Sequence, residues 1–337
     1  FAETPPTGYV ALSENNITVD DQNLESPDFV WIKSRGAARH HGMWDSVRGA
    51  GKLIQSSSAD LETDRPYGVV NFNTNGFTLG PEDPSWHYNE TGVDEVAWCW
   101  KANGSGVSNT DGDFSVTVSA NAESGFSIVD LTDPNTGASY EVGHGLDSAP
   151  EMFFIKKTNA TSDWSVYHKD VGNDRRLVLN STDDQSGSSS VYFGSTTPTS
   201  TVVTIGSGLS TGDDWIMYCF HSVEGFSKLG SYVGNGSTDG PFVYCGFRPA
   251  WILTKRAIGG TQDWSIIDVK RDIMNPAENP LQPNTPDNEA TNYDANTMDI
   301  LSNGFKFRDG GAIYNTDGNT YIYMAFAENP FKYSNAR

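Results

Sequence analysis

The stretch Phe29-Val-Trp-Ile-Lys33 is an apolar, strand-like run that ends in a lysine, and it decides the fold because it occurs three times. The second copy is Phe153-Phe-Ile-Lys156 and the third is Trp251-Ile-Leu-Thr-Lys255. Each copy stands shortly after a proline. A motif that returns in the same order along a chain indicates an internal repeat, which has to be recognised before single elements are assigned.

The residues that follow each copy recur as well. The position eight or nine residues beyond the lysine holds an imidazole or indole side chain in all three blocks: His41, Trp164 and Trp264. Each block closes with an aromatic-rich, strand-like run: Ala97 to Trp100, Met217 to Phe220, and Tyr323 to Phe326. Matched order and matched spacing together predict three tandem structural units of one kind.

The composition predicts the class of these units. Aromatic residues make up 12% of the 337 residues and charged residues only 19%, and there are 34 glycines. This mixture is typical of short strands joined by tight turns, because the surfaces of long helices need Lys, Glu and Arg. We therefore expect an all-β fold of three tandem β-sandwich-like repeats, each of roughly 75–100 residues.

Turn residues and polar stretches place the boundaries between the units. Residues 101–124 form a polar insertion, and residues 272–296, with four prolines among Asn and Asp, are expected to form one long loop. The predicted division is a lead-in segment at 1–26, repeat 1 with the polar insertion at 27–124, repeat 2 with a leading connector hairpin at 125–224, and repeat 3 with a leading connector hairpin and the long loop at 225–337.

The net charge of −21 bears on the choice of partners. Nucleic acid requires clustered Lys and Arg to neutralise its phosphates, so the charge disfavours it. The same charge disfavours an anionic membrane surface. The longest apolar run has seven residues, Tyr321 to Ala327, far below the roughly 20 that a membrane-spanning helix needs. We predict neither nucleic acid nor a membrane as a partner.

The three cysteines predict core thiols and not a disulfide framework. Cys99 and Cys219 occupy the same position of two blocks, where the third block has Ala325. A position that accepts Cys or Ala is a small buried site. An odd count without CxxC spacing is typical neither of a disulfide framework nor of a zinc site. Cys245 lies in a connector.

A search for catalytic motifs finds no HExxH and no phosphate-binding glycine loop. Paired carboxylates of a glycosidase meet in space and stay open on sequence alone. However, the slot that holds Asp45 in the first block holds His168 in the second and Asp268 in the third, an exchange that suits a structural position better than an acid/base residue. His40 and His41 are interpreted as ordinary turn histidines. We predict no enzymatic activity, no cofactor and no metal site.

Two kinds of repeated side chain have structural explanations. Trp164 and Trp264 could stack on sugar rings, but their repetition at one register of a strand is better explained by core packing. The repeated lysines stand at strand ends, where their aliphatic stems are expected to cover the sheet edge and to discourage edge pairing: Lys33, Lys156 and Lys255.

Several longer strings carry a resemblance: WIKSRGAARHHGMWDSVRG, NGFTLG, VAWCWKA, GVSNTDGDFSVTVSANAESGFSIV and YCFHSVEGFSKLGSYVGNG. They resemble a repeat family in tail-fibre and other virion appendage proteins of marine tailed phages. The opening FAETPPTGYVAL is similar to the junction that follows an upstream SPRY-like or concanavalin-like β-sandwich in such proteins. The resemblance covers nearly the whole chain and carries no catalytic residue.

The resemblance implies a non-enzymatic virion structural protein, a tail fibre or appendage involved in host attachment, assembled in the host cytoplasm. The implied partners are other virion proteins, copies of the chain itself in a homo-oligomer such as a trimer, and a glycan or protein on the host surface. Two other classes stay open on the residues alone. One is a secreted or cell-surface glycan-binding or glycan-cleaving β-sandwich protein, and the other is an extracellular filament or surface structural protein.

Recognition is predicted in the segments that break the repeat, because loops on a rigid scaffold commonly carry binding. An exposed Trp or Tyr in a wet loop offers a large contact area at low entropic cost. Trp86 and Tyr88 lie in the first such loop, and Tyr293 borders the last. These three side chains are the candidate contact residues, with divalent cations able to bridge the acidic surface to a receptor.

Overall fold

The computed structural model describes residues 26–185, 190–289, 298–311 and 313–329, together with two short strands at 7–8 and 16–18. The described chain is all-β, as the composition predicts, and a 3-10 helix at Ser207–Leu209 is its helical element. No helix in these ranges combines the length and the apolar character that crossing a membrane requires.

The strands fall into three consecutive units. Those of unit 1 are β1 (Thr7–Gly8), β2 (Asn16–Thr18), β3 (Phe29–Ser34), β4 (Gly42–Asp45), β5 (Lys52–Gln55), β6 (Thr63–Asp64), β7 (Val69–Asn73), β8 (Gly76–Leu79) and β9 (Glu95–Trp100). Those of unit 2 are β10 (Val107–Asn109), β11 (Val116–Asn121), β12 (Phe126–Thr132), β13 (Tyr140–Gly143), β14 (Met152–Lys157), β15 (Ser165–His168), β16 (Leu177–Val178), β17 (Val202–Ile205) and β18 (Asp214–Phe220). Those of unit 3 are β19 (Ser227–Val233), β20 (Phe242–Tyr244), β21 (Pro249–Ile258), β22 (Ser265–Asp268), β23 (Met298–Leu301), β24 (Gly304–Phe307) and β25 (Thr320–Ala327).

Each unit has a main sheet and a smaller outer sheet. The main sheets have the orders β1-β9-β3-β4-β5-β6, β10-β11-β12-β18-β14-β15-β16 and β19-β25-β21-β22. The outer sheets are β2-β8-β7, β13-β17 and β20-β24-β23. The signature strand pairs antiparallel with the closing aromatic strand in every unit, as β3 with β9, β14 with β18 and β21 with β25. The predicted β-sandwich-like repeat is therefore present in all three units.

Adjacent residues of a strand point to opposite faces of its sheet. In each main sheet the signature strand is buried along most of its length, so both faces of the sheet are covered. On β3, Phe29 and Trp31 face a core that all three units share, whereas Val30 and Ile32 face an outer core beneath the small sheet. Units 2 and 3 have outer cores of their own. We call the common cluster the shared core. It joins the three sandwiches into one body.

The axis of the shared core is formed by the last aromatic residue of each closing strand. The rings of Trp100, Phe220 and Phe326 meet edge to face, with centroid separations of 6.4, 5.9 and 6.3 Å. Edge-to-face aromatic contacts at such distances are favourable beyond the burial of their area. The repetition seen in the sequence thus places three equivalent residues against one another.

The six signature residues predicted to be buried are buried: Val30, Ile32, Phe153, Ile155, Trp251 and Leu253. They do not all occupy equivalent faces, however. Counted back from the lysine, Trp251 and Leu253 correspond to Phe29 and Trp31 of the first copy, and Phe153 and Ile155 correspond to Val30 and Ile32. As a result Trp251 and Leu253 face the shared core, and the other four face outer cores.

The lead-in and the polar insertion both add strands to a sheet. In the lead-in, β1 pairs with β9 and β2 pairs with β8 of unit 1. In the insertion, β10 and β11 form a hairpin whose second strand pairs with β12 of unit 2. The insertion at 101–124, which the sequence suggested as the end of repeat 1, is therefore part of the second main sheet, and Val116 and Val118 pack in its outer core.

The long loop predicted at 272–296 does not behave as a free loop in its described part. Ala277 and Leu281 have no exposed surface, and each forms a β-bridge, to Met298 and to Ile266 respectively. Leu281 lies in the shared core. Residues 272–289 therefore have a packing role, because they supply the strand-like contact that β5 and β16 supply in the other units.

Candidate functional site

The repeated lysines lie at the joints between units. Lys33, Lys156 and Lys255 are at most 1% exposed. They were expected to protect the sheet edge, and this is wrong. Each follows the inward-facing residues of its signature strand, so its stem enters the molecule. The ammonium groups are stabilised there by backbone carbonyl oxygens, which are the hydrogen-bond acceptors available to a buried donor.

The partners of these lysines connect the units in a cycle. Lys33 Nζ of unit 1 donates to Pro286 O of unit 3 at 3.2 Å. Lys156 Nζ of unit 2 donates to Ala59 O of unit 1 at 2.9 Å. Lys255 Nζ of unit 3 donates to Thr182 O of unit 2 at 2.8 Å. Each unit therefore holds one neighbour and is held by the other. The third joint returns to the first unit, so the arrangement is closed.

Burial changes the acid–base properties of these lysines. Loss of hydration lowers the pKa of Lys33 to about 7 and those of Lys156 and Lys255 to about 8. A charged ammonium loses more hydration energy than a neutral amine when it leaves water, and carbonyl oxygens offset only part of that loss. These groups are consequently among the most strongly perturbed bases in the described chain.

The tryptophans predicted to pack in the core also cross the joints. Trp164 Nε1 donates to Gln55 O of unit 1 at 2.8 Å, and Trp264 Nε1 donates to Val178 O of unit 2 at 2.9 Å. Both side chains are fully buried. In unit 1 the same slot holds His41, whose Nδ1 accepts a hydrogen bond from Trp31 Nε1 at 3.0 Å. Core packing is therefore confirmed for the repeated tryptophans, which cannot act as open platforms for sugar rings.

A second set of contacts at the joints is ionic. In unit 1 the Asp45 carboxylate pairs with Arg48 at 2.6 Å and accepts a hydrogen bond from Tyr218 Oη of unit 2 at 2.7 Å. Arg48 also pairs with Glu62 at 3.0 Å. A buried ion pair is stable only when further hydrogen bonds satisfy its remaining atoms. The neighbouring unit supplies one of them here.

Unit 3 repeats this arrangement against unit 1. Asp268 pairs with Arg271 at 2.6 Å and accepts a hydrogen bond from Trp98 Nε1 at 3.1 Å. Arg271 pairs with Glu289 at 2.6 Å. Glu289 belongs to the segment that the sequence suggested as a recognition loop. Its carboxylate instead completes a buried structural network.

The described part of unit 2 has no such network. The corresponding positions hold His168, Val171 and Gln185. Gln185 is equivalent to Glu62 and Glu289 by its backbone, because its N–H donates to the neighbouring unit at the matching place, Ala257 O. Burial lowers the pKa of His168 to about 3, so the imidazole is neutral. The exchange of Asp45 for His168 is thus part of the replacement of a complete ionic set by a neutral one.

The arginines of these networks were missed at the sequence level, although a signal was present. The strings DSVR and DVKR place an arginine three residues after the repeated aspartate in units 1 and 3, and HKDV breaks the pattern in unit 2. This spacing allows the guanidinium to pair, across a turn, with the carboxylate of the aspartate three residues earlier. It did not reveal the partner from the neighbouring unit.

The predicted core cysteines are confirmed as buried positions. Cys99 and Cys219 lie in the outer cores of units 1 and 2, and Ala325 lies in that of unit 3. Both thiols are free, and burial raises their pKa well above the ordinary range. Cys245 is also buried, in the outer core of unit 3.

The predicted contact residues are not brought together on an exposed loop. Tyr88 is 3% exposed, and its Oη accepts a hydrogen bond from Gln55 Nε2 at 3.1 Å. Its ring packs edge to face on Trp44 with centroids 5.0 Å apart. Its selection as an exposed contact residue is wrong, because the outer core of unit 1 needs it.

Trp86 and Tyr293 have different outcomes. The Trp86 ring is half-buried, with the guanidinium carbon of Arg65 3.8 Å from its centroid. Its remaining exposed part keeps it available for contact, and its role stays a prediction. Tyr293 lies outside the described residues. Within the described ranges no group of three or more His, Cys, Asp or Glu side chains is arranged to hold a metal ion.

Comparisons with known proteins assign the chain to a family without assigning a function. The chain belongs to the family described as Domain of unknown function (DUF7483), which matches residues 13–330. No curated protein and no solved structure matches it.

Proposed function

We propose that this chain is a non-enzymatic structural protein of a phage virion, a tail fibre or appendage that takes part in host attachment. The observation that carries the proposal is the closed set of joints, in which every unit both donates to one neighbour and accepts from the other. Such a body resists separation of any single unit, because removing one unit breaks two joints and exposes the shared core. Stiffness of this kind suits an appendage that transmits contact forces.

The chemistry of the joints supports a non-catalytic role. Strongly shifted pKa values often mark catalytic groups, but ion-pair networks shift them too. Lys33 and His168 are both fully buried. Lys33 donates to backbone oxygens of its own unit and of unit 3, and the His168 imidazole lies near the Tyr323 backbone of unit 3. A polymeric substrate could reach them only if the units separated. The lowered pKa values of these two side chains therefore result from the packing of the three units against one another.

The sequence resemblance supplies the virion part of the proposal. Its strings extend from the first signature strand to the connector of the third unit. We further propose other virion proteins and copies of this chain as partners, and a glycan or protein of the host surface as the target. A filament held together by exchange of lead-in strands is less well supported, because β1 and β2 pair with β9 and β8 of their own chain.

The test is to purify particles from a culture that produces this protein and to identify their proteins by mass spectrometry. We expect peptides of the chain in stoichiometric amounts, and labelling of an appendage by an antibody raised against residues 26–329. An antibody against the major capsid protein is the labelling control. Absence of the chain from intact particles would overturn the virion assignment.

The non-enzymatic part is tested separately. The purified chain is incubated with algal and bacterial polysaccharides, and released reducing ends are measured. We expect no release above that from a heat-denatured sample. Reproducible release that a single carboxylate substitution abolishes would overturn this part and would favour the glycan-cleaving alternative.

A further inference from the structure

A polar cavity of about 240 Å³ lies on unit 2, where the inserted hairpin extends the main sheet. Its lining comes from β10 to β12 and from the turn between the first two of these strands: Ser108, Ser115, Val116, Thr117, Asp130, Leu131 and Thr132. Hydroxyl groups and one carboxylate dominate this set. The main sheets of units 1 and 3, as described, have no strands that correspond to β10 and β11.

The register explains how the polar groups converge. Ser108 pairs with Thr117 across β10 and β11, and Thr117 pairs with Asp130 across β11 and β12. Directly paired residues of antiparallel strands project from the same face. Asp130 in turn pairs with Ile216, which lies in the shared core. The row thus continues the inward face of the sheet beyond the point where the shared core ends.

Two of the lining groups have unused hydrogen-bonding capacity. Within the described chain no side chain or backbone N–H donates to the Asp130 carboxylate, and the Thr117 hydroxyl has no partner there either. The other hydroxyls are paired, Ser108 with Ser115 at 2.7 Å and Thr132 with Asp214 at 2.7 Å. A carboxylate and a hydroxyl side by side can accept and donate at once.

The charges around the cavity limit the class of ligand. Burial is the main cause that raises the pKa of Asp130 to about 6, and the carboxylates of Asp45, Asp214 and Glu62 act in the same direction against Arg48. The excess of negative charge disfavours an anionic ligand. Ligands that donate hydrogen bonds to Asp130 are favoured, because they stabilise its charged form.

We propose that this cavity binds one neutral sugar residue of a host-surface polysaccharide. The proposal rests on the proposed attachment function and names the ligand class. Adjacent hydroxyls of a pyranose ring donate to the two oxygens of Asp130, and Thr117 donates to a ring or hydroxyl oxygen. Pockets for drug-sized ligands measure roughly 300–1,000 Å³. The smaller volume here suits a single sugar unit.

The test is saturation-transfer NMR on the whole purified chain with the methyl glycosides of glucose, galactose, mannose and N-acetylglucosamine. Glucuronic acid is the anionic comparison. We expect a signal from at least one neutral glycoside and none from glucuronic acid. Asp130→Ala and Thr117→Val should each weaken the apparent affinity, by about tenfold or more for the carboxylate, since a hydrogen bond to a charged group is involved.

Asp147→Ala is the matched control, because Asp147 is an exposed aspartate of the same unit and lies outside the cavity. It should bind like the parent chain. Circular dichroism and thermal melting establish that each variant is folded. Binding that is equal in the parent and both cavity variants, or no binding by any neutral glycoside, would overturn the proposal.

Three further outcomes separate this proposal from an ion site and from the attachment function. If Ca²⁺ alone raises the melting temperature of the parent chain but not that of Asp130→Ala, and no glycoside binds, the cavity is an ion site and the sugar proposal is wrong. If the chain is found in particles by mass spectrometry but no glycoside binds, the virion assignment stands without this cavity. If a glycoside binds in the cavity and the chain is absent from particles, the virion assignment fails alone.

Discussion

Two joints between units are ionic and the third is neutral. Asp45 of unit 1 contacts unit 2 and Asp268 of unit 3 contacts unit 1, whereas unit 2 presents His168 to unit 3 at the equivalent position. The two ionic joints use a buried Asp–Arg–Glu set, and in each the neighbouring unit donates a hydrogen bond to the aspartate from Tyr218 or Trp98. In the remaining joint the strand register places Met324 at the position equivalent to these donors. The side chain of Met324 has no N–H or O–H group. The carboxylate is absent where its donor is absent.

This difference explains why unit 2 differs from units 1 and 3 at all three positions of the ionic set and not at one of them. A buried carboxylate without both its cation and its donor has a large desolvation cost. Replacing only one member of the set would therefore leave an uncompensated group. His168, Val171 and Gln185 remove the charges together, and the neutral imidazole accepts the same burial. The polar identity of a joint is thus variable. In unit 2 neutral groups replace the charged set, and His168 Nε2 is buried without a hydrogen-bond partner in the described chain.

The largest expected effect is the removal of one arginine. Arg271→Ala leaves Asp268 buried without its cation and leaves Glu289 with Arg35 alone, so we expect the free energy of unfolding to fall by about 3–5 kcal/mol. Chemical denaturation followed by tryptophan fluorescence measures it. Arg308→Ala is the control, because that arginine pairs with Asp299 while 43% exposed. Its loss should be about 0–1 kcal/mol. Equal losses for the two variants would contradict the importance of burial.

A joint conversion sharpens the comparison. Asp268→His, Arg271→Val, Glu289→Gln and Trp98→Met together give the third joint the neutral set of the second. We expect this fourfold variant to be more stable than Arg271→Ala alone, by about 1–3 kcal/mol, since no carboxylate of the set is left buried without its cation. Arg35, which loses its contact with Glu289, is partly exposed. The same denaturation experiment decides it. If the fourfold variant is the less stable of the two, the ionic and neutral sets are not interchangeable. The inference that their members change together would then be wrong.

The buried lysines predict a pH dependence of stability. Their folded-state pKa values of about 7 to 8 lie below the ordinary value of 10.5. Between these limits the unfolded chain binds more protons than the folded chain, so the free energy of unfolding should increase as the pH rises from about 8 to 10. Lys156→Met should flatten this slope, by on the order of 1–2 kcal/mol across the window. Lys228→Met, at a half-buried lysine of β19, is the control that should retain it.

The smallest expected effect is at the cysteine position. Cys99→Ala should cost about 0.5–1 kcal/mol, because unit 3 already carries alanine at the equivalent place and only one small atom is removed. Thermal melting under reducing conditions measures the change. A loss as large as that of Arg271→Ala would show that the outer cores do not tolerate what the repeat itself contains.

The candidate contact residues show where sequence reasoning failed. Tyr88 stands in a stretch rich in Pro, Asp and Asn, which is typical of a loop, and nothing local distinguishes it from the half-buried Trp86. Its burial depends on Trp44 and Gln55, which reach it from other strands. The cavity around Asp130 was also invisible in the sequence, because its row of side chains exists only after three strands have paired.

The sequence by itself determined the all-β class, the three units and the burial of their signature strands. These properties follow from local rules, since alternation of side chains and turn chemistry act within a few residues. It also determined that the cysteine position is small and buried, because the equivalent position of the three units holds Cys99, Cys219 and Ala325.

Only the tertiary structure decided that the units close on one another. The lysines were expected at a sheet edge, since a strand-end lysine is usually exposed. The neighbouring unit supplies one of the carbonyl groups that make burial tolerable, beside one from the lysine's own unit. Lys33 and its partner Pro286 are 253 positions apart in the chain. A hydrogen bond over that distance depends on the placement of whole sheets, and no local pattern specifies it.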